Sequence, residues 1–187
     1  ENVSEVRRLL KSLGPDCIDP DPGYTTIRSN KNGWSIRETE ARTPLTAAAR
    51  RGNLEIARLL VDAGADVSFD AGDHGSPITE AAGEGYTDFV AYLLEKGANV
   101  NETSDGQGSP LNAAARGGHT ETATFLLEKG AEINYQNDGQ GSALNAAARN
   151  GHLDMVELLL DQGARINAMN DGQGSALNAA SRNGHND

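Results

Sequence analysis

Ser109-Pro-Leu-Asn-Ala-Ala-Ala-Arg-Gly-Gly-His119, continued by Thr120–Gly130 and Ala131–Gly141, is a 33-residue stretch that the chain repeats as Ser142–Gly174. It recurs more loosely upstream as Thr43–Gly75 and Ser76–Gly108, and it opens once more at Ser175. Pro44, Pro77, Pro110, Ala143 and Ala176 share one register, and Gly64, Gly97, Gly130 and Gly163 share another. A fixed period of this length marks a stack of like units. The array therefore divides into residues 43–75, 76–108, 109–141 and 142–174, with 175–187 a truncated fifth unit.

Each unit predicts two helices. Thr43, Ser76, Ser109, Ser142 and Ser175 stand just before a Pro/Ala-Leu/Ile-x-x-Ala-Ala run, which the last unit shortens to Ala-Leu-Asn-Ala-Ala. A hydroxyl there accepts from a free first-turn amide, and proline at the first helical position costs no needed donor. A helix of about two turns is expected from Pro44 and its equivalents, ending near Gly52, Gly85, Gly118 and Gly151. A second helix is expected over Leu54–Ala63 and, in register, Leu153–Gln162. Ile56, Leu59, Leu60 and Met155, Leu158, Leu159 recur at three- and four-residue steps and define one buried stripe. Gly64 and its equivalents suit the left-handed position that closes a helix.

Outward toward the N-terminus, residues 2–14 read as one amphipathic helix, with Val3, Val6, Leu9, Leu10 and Leu13 on one face. Leu9-Leu10 and Gly14 align with Leu59-Leu60 and Gly64 at an offset of 50, which is 33 plus 17. A degenerate first unit with a 17-residue loop insertion within 15–42 follows from that offset. Pro15, Pro20 and Pro22 break helices there, while Tyr24–Arg28 and Trp34–Arg37 have strand composition around Asn32-Gly33, a hairpin turn signal. A projecting β-hairpin is expected. Trp34 either pins it onto the first helices or anchors a partner.

Thr43-Pro44-Leu45-Thr46-Ala47-Ala48 and Gly64-Ala65-Asp66-Val67, at this period and in this order, resemble the ankyrin repeat. The resemblance covers residues 43–187 and, more weakly, 2–19. It implies an all-α solenoid of helix-turn-helix units with projecting β-hairpin loops, with residues 1–187 forming a single domain. The near-identity of the last three units also resembles the tandem arrays of some fungal NOD-like receptors. Two departures stand out. Where the family usually has histidine in Thr-Pro-Leu-His, this chain has Thr46, then Glu80 one place on from Thr79, then Asn112, Asn145 and Asn178. The loops become Asp-Gly-Gln-Gly-Ser at 105–109, 138–142 and 171–175. Since an amide both donates and accepts, an asparagine ladder running from unit to unit is expected to organise the loops.

The resemblance also implies that hairpin tips and first-helix ends face a concave binding groove. By position the tips are Asp73 and His74, Asp105 and Gln107, Asp138 and Gln140, and Asp171 and Gln173. The helix ends supply Arg50 and Arg51, Gly83 and Glu84, Arg116, Arg149 and Asn150, and Arg182 and Asn183. An Asp/Gln row thus lies beside an Arg row, which unit two interrupts with Glu80, Gly83 and Glu84. Arginine's fixed fork suits carboxylates. Either the row faces a partner, or each Arg pairs with its own unit's acidic tip.

Other chemistries lack their residues. Asp-Gly-Gln-Gly-Ser has no Gly-Lys-Ser/Thr, and its Asp repels phosphate. One carboxylate per short loop does not make a calcium site. His119, His152 and His185 are spaced one unit apart, roughly 10 Å, too far to share a metal; capping at the second-helix start is their expected role. No nucleophile, base and orienting acid fall together. No enzyme, cofactor or metal is therefore expected.

The net charge of −11 is uneven: residues 1–51 carry nine Lys/Arg against seven Asp/Glu, and the remainder seven against twenty. Such a surface repels phosphate backbones and argues against nucleic acid. No apolar run approaches the ~20 residues of a membrane span. Cys17 is the only cysteine, which fits a reducing, intracellular setting, and the cytoplasm is expected. The chain starts at Glu1 and is expected to be a monomeric piece of a longer protein with more repeats. The function expected is a non-catalytic protein-interaction module with an unidentified protein partner. The alternatives are a structural spacer or self-assembly array, and a small-molecule or carbohydrate sensor.

Overall fold

The computed structural model describes residues 43–68, 75–104, 107–136, 141–169 and 174–185. Among them are nine α-helices. Four pairs run α1 (Pro44–Arg50) with α2 (Leu54–Asp62), α3 (Pro77–Gly83) with α4 (Thr87–Glu95), α5 (Pro110–Gly117) with α6 (Thr120–Glu128), and α7 (Ala143–Asn150) with α8 (Leu153–Asp161). α9 (Ala176–Arg182) opens a fifth unit. The boundaries match the sequence pattern to within a residue or two. The N-terminal helix at 2–14 and the hairpin at 15–42 lie outside the described residues.

The first helices start where hydroxyls cap them. Thr43 Oγ1 accepts from the Thr46 amide at 3.0 Å, and the Ser109 and Ser142 hydroxyls accept from the Asn112 and Asn145 amides at 3.3 Å. The caps have extended backbone, and proline follows three of the first four. α5 and α7 end at Gly118 and Gly151, with φ of 74° and 72°.

Packing is a one-dimensional stack. The first helices α1, α3, α5, α7 and α9 lie against one another in order, and each of α1, α3, α5 and α7 packs on its own second helix. The pairs Ala48-Ala49, Ala81-Ala82, Ala114-Ala115 and Ala147-Ala148 are buried in this layer, and their small side chains let the helices approach closely. Leu45, Ile78, Leu111 and Leu144 form a row at most 2% exposed, and Leu60, Leu93, Leu126 and Leu159 form the row behind it. This is how a chain with 4% aromatic residues still builds a continuous core.

Polar contacts close each unit and knit it to the next. Asn112 Nδ2 donates to the Gly141 carbonyl at 2.9 Å, and Asn145 Nδ2 donates to the Gly174 carbonyl at 3.0 Å. The Ser109 and Ser142 hydroxyls donate to the Oδ1 of those same asparagines. The link therefore runs from the amide to the glycine carbonyl that closes the same unit, just ahead of the next unit's capping serine, and not from Asn to Asn as a ladder. On the other side of the stack, Asn101 Oδ1 accepts from the Glu132 amide at 2.8 Å while its Nδ2 donates to the Gly130 carbonyl at 3.2 Å. Asn134 repeats this with Arg165 and Gly163.

The histidines do not cap. His119 and His152 occupy the N-cap positions of α6 and α8 without a side-chain cap bond. Each Nε2 instead donates backwards, at 3.0 Å, to the Gly83 and Arg116 carbonyls at the end of the preceding unit's first helix. The rings lie on glycines: a Cβ at Gly118 would sit 2.7 Å from His152 Nδ1, and one at Gly52 2.9 Å from the Tyr86 ring. Those glycines are required twice, by their left-handed backbone and by the ring above them.

Of the expected loop hairpins, the described residues hold one isolated antiparallel bridge, Ser104 with Gly108. The buried Ser104 hydroxyl accepts from the Ser76 amide at 3.1 Å, tying this loop to the start of its own unit.

Candidate functional site

The 33-residue period fixes where the first-helix ends fall. Arg50, Arg116, Arg149 and Arg182 occupy the last turn of α1, α5, α7 and α9, with Gly83 at the matching place in α3. Because the first helices stack side by side, these ends form a line across the units. Between units one and three the line is recessed. Arg50, Thr79, Glu80, Gly83, Glu84, Gln107 and Arg116 line a cleft of about 230 Å³. Gly83 brings no side chain to it, where the equivalent positions carry arginine.

Charge is arranged unevenly around this cleft. Arg116 is half-buried, and its guanidinium donates to Gln107 Oε1. Burial lowers the Arg116 pKa from its ordinary value; Glu80 opposes that fall and Arg149 adds to it. Glu80 is itself 8% exposed and stands where other units carry alanine. At the opposite wall Arg50 Nε lies 3.9 Å from Glu84 Oε1, with both side chains about half exposed. An ion pair that long and that wet contributes little to stability. Arg149 is half-buried and Arg182 exposed.

The candidate residues Gln107, Arg116, Arg149 and Arg182 thus fall on one face. Trp34, Asp73, His74, Asp105, Asp138, Gln140, Asp171 and Gln173 lie outside the described residues. The contact that orients Arg116 is to the tip amide Gln107, whereas the carboxylate beside Arg50 comes from the following unit. The cross-unit asparagines Asn101 and Asn134 escaped the sequence reading, although their recurrence after Val100 and Ile133 was a usable signal.

Two further features stand apart. The Tyr92 ring has the Arg58 guanidinium 5.4 Å and the Lys96 ammonium 5.6 Å from its centre, and its buried hydroxyl has no hydrogen-bond partner among the described residues. At the α9 end, Leu177 is 77% exposed, whereas its equivalents Leu111 and Leu144 are buried. It borders an apolar hollow of about 390 Å³ shared with Leu153, Val156, Leu160 and Ile166. Among the described residues no group of His, Cys, Asp or Glu is arranged to hold a metal, and no helix is long and apolar enough to cross a membrane.

These stacked helix pairs define a helical-repeat solenoid. The family model described as ankyrin repeats (3 copies) matches residues 2–104, 69–137 and 111–187, and the chain belongs to the ankyrin repeat family. Members of that family are generally protein–protein interaction modules and are typically non-catalytic. No curated protein matches the chain significantly.

Proposed function

We propose that residues 1–187 act as one non-catalytic domain that captures a protein partner, in the cytoplasm, through the face built from the first-helix ends and loop tips. The observation that carries this reading is the recessed Arg50–Glu84–Gln107–Arg116 cleft, whose line of arginines continues through Arg149 to Arg182. Arginine is over-represented at binding hot spots and offers two parallel donors to a carboxylate. The scaffold beneath is preorganised, so binding orders little extra chain.

A pull-down from native lysate with the intact chain and with its Arg116→Ala/Arg149→Ala/Arg182→Ala variant tests this. A protein recovered by the first and lost by the second supports the face; identical recoveries refute it. Circular dichroism confirms that the variant is folded. A second reading, self-assembly, draws on the exposed Leu177 end. Light scattering that shows oligomers growing with concentration, and abolished by Leu177→Glu, favours it instead.

A further inference from the structure

Unit two departs from the repeat at three neighbouring positions. Glu80 stands where the other units carry alanine, Gly83 where they carry arginine, and Glu84 where they carry Arg51, Gly117, Asn150 and Asn183. All three departures line the cleft of about 230 Å³, together with Arg50 and Arg116, so its two arginines face two glutamates. That volume lies below the ~300–1,000 Å³ of sites for drug-sized molecules and suits a single side chain.

The four charges are not equivalent. Arg116 donates to Gln107 and feels the charge of Glu80, and the buried Glu80 has an interaction of its own. Arg50 and Glu84 are about half exposed, and their 3.9 Å separation is too long for a hydrogen bond. Neither side chain makes a hydrogen bond among the described residues. A guanidinium with five donors and a carboxylate with about four acceptor sites thus stand side by side with that capacity unused by the protein.

A group that enters must satisfy a donor and an acceptor together. A cation that reaches Glu84 is repelled by Arg50, and an anion that reaches Arg50 is repelled by Glu84. An apolar side chain strips both of water and returns no bond. A trans peptide group points its C=O and N–H in opposite directions. A primary amide carries an oxygen and an N–H on one edge, roughly 2.3 Å apart from its bond lengths. Bonds of ~2.9 Å from that edge reach a donor and an acceptor 3.9 Å apart with little splay.

Resting on the interaction-module reading, we infer that the unit-two cleft is a specificity subsite for a primary amide, a glutamine or asparagine side chain of the partner. The amide oxygen accepts from the Arg50 guanidinium, and the amide nitrogen donates to the Glu84 carboxylate. The cleft selects a neutral residue although four charges line it.

Nuclear magnetic resonance titration of the whole, isotope-labelled chain tests the subsite. The probes are the N-acetyl, N-methylamide derivatives of glutamine and asparagine, with those of glutamate, lysine and methionine as controls. The better amide, which names the residue, is expected to shift the Gly83 and Glu84 backbone signals with a Kd on the order of millimolar. It should bind about fivefold more tightly than any control. Arg50→Ala and Glu84→Ala should each weaken it about fivefold. Gly83→Arg, which restores the repeat's own residue, should weaken it at least as much by crowding the lining and unbalancing its charge. An added Cβ at position 83 meets nothing closer than Ala113 Cβ at 3.6 Å, so this variant keeps the fold, as a melting curve checks. Equal binding of all derivatives, tighter binding of a control, no shift at Gly83 and Glu84, or binding indifferent to these substitutions overturns the assignment. If the lysate partner is nevertheless lost on removing the three arginines, the interaction face survives without an amide subsite.

Discussion

Replacing Gly118 by alanine separates two demands on one residue. Gly118 has φ of 74°, and an added Cβ would lie 2.7 Å from His152 Nδ1. Gly130, in the same unit, has φ of 91° and nothing within 4 Å of an added Cβ. Both substitutions carry the left-handed backbone cost of about 1–2 kcal/mol. Only Gly118→Ala must also push the imidazole aside. That breaks the 3.0 Å bond from His152 to the Arg116 carbonyl, costing about 1 kcal/mol, and forces the ring off its rotamer at roughly 0.5–1.5 kcal/mol. Gly118→Ala should therefore destabilise by roughly 3–4 kcal/mol against roughly 1–2 for Gly130→Ala, as read from urea unfolding followed by circular dichroism. In a His152→Ala background the extra cost should vanish, because no ring remains to displace. Equal losses at the two glycines, or an unchanged gap without the histidine, would refute the idea that the ring on the glycine joins the units.

Asn145→Ala strands the Gly174 carbonyl and should cost about 2–3 kcal/mol in the same assay, more than the ~1 kcal/mol for removing the Ser142 cap. Leu144→Ala should cost 2–5 kcal/mol as a buried leucine, whereas Leu177→Ala, its exposed equivalent, should change stability by less than about 0.5 kcal/mol. Burial, with the negative charge of Asp62 adding to it, raises the Tyr92 pKa. The folded state therefore holds the phenol proton more tightly than the unfolded chain does. That stabilisation is complete below the unfolded value near ~10 and disappears as pH climbs through the folded one. Tyr92→Phe should leave neutral-pH stability equal or slightly higher, since it deletes a buried hydroxyl with no partner among the described residues, and should flatten the alkaline decline in melting temperature.

Helix positions were legible because their causes are local. A hydroxyl before a proline, a leucine stripe and a closing glycine all act within one unit, and α1 to α9 fall where those signals stand. What joins the units was less legible. His152 sits three residues before Met155 and reads as a cap, yet its ring reaches back 36 residues to Arg116; local spacing holds no trace of that distance. Asn112 was rightly read as structural, but its acceptor is a glycine carbonyl, a group every residue owns and no sequence pattern marks. The arginine line was visible from the period alone. The recess beside it is lined from three successive first helices, with Glu80 where other units carry alanine, and such a meeting exists only once those helices stand side by side.

The bonds that cross from unit to unit reach only adjacent neighbours: Asn101 to Gly130, Asn134 to Gly163, His119 to Gly83. Tension along the stack would then be borne one interface at a time. Drawn from its ends, such a molecule should unzip by single units, each releasing 33 residues of slack, or about 110 Å of fully stretched chain. The α9 end, where Leu177 has no cover among the described residues, should yield at the lowest force, and a relaxed unit can snap back on the template of the one beside it. The array would behave as a ratcheted spring whose step length is written in its period.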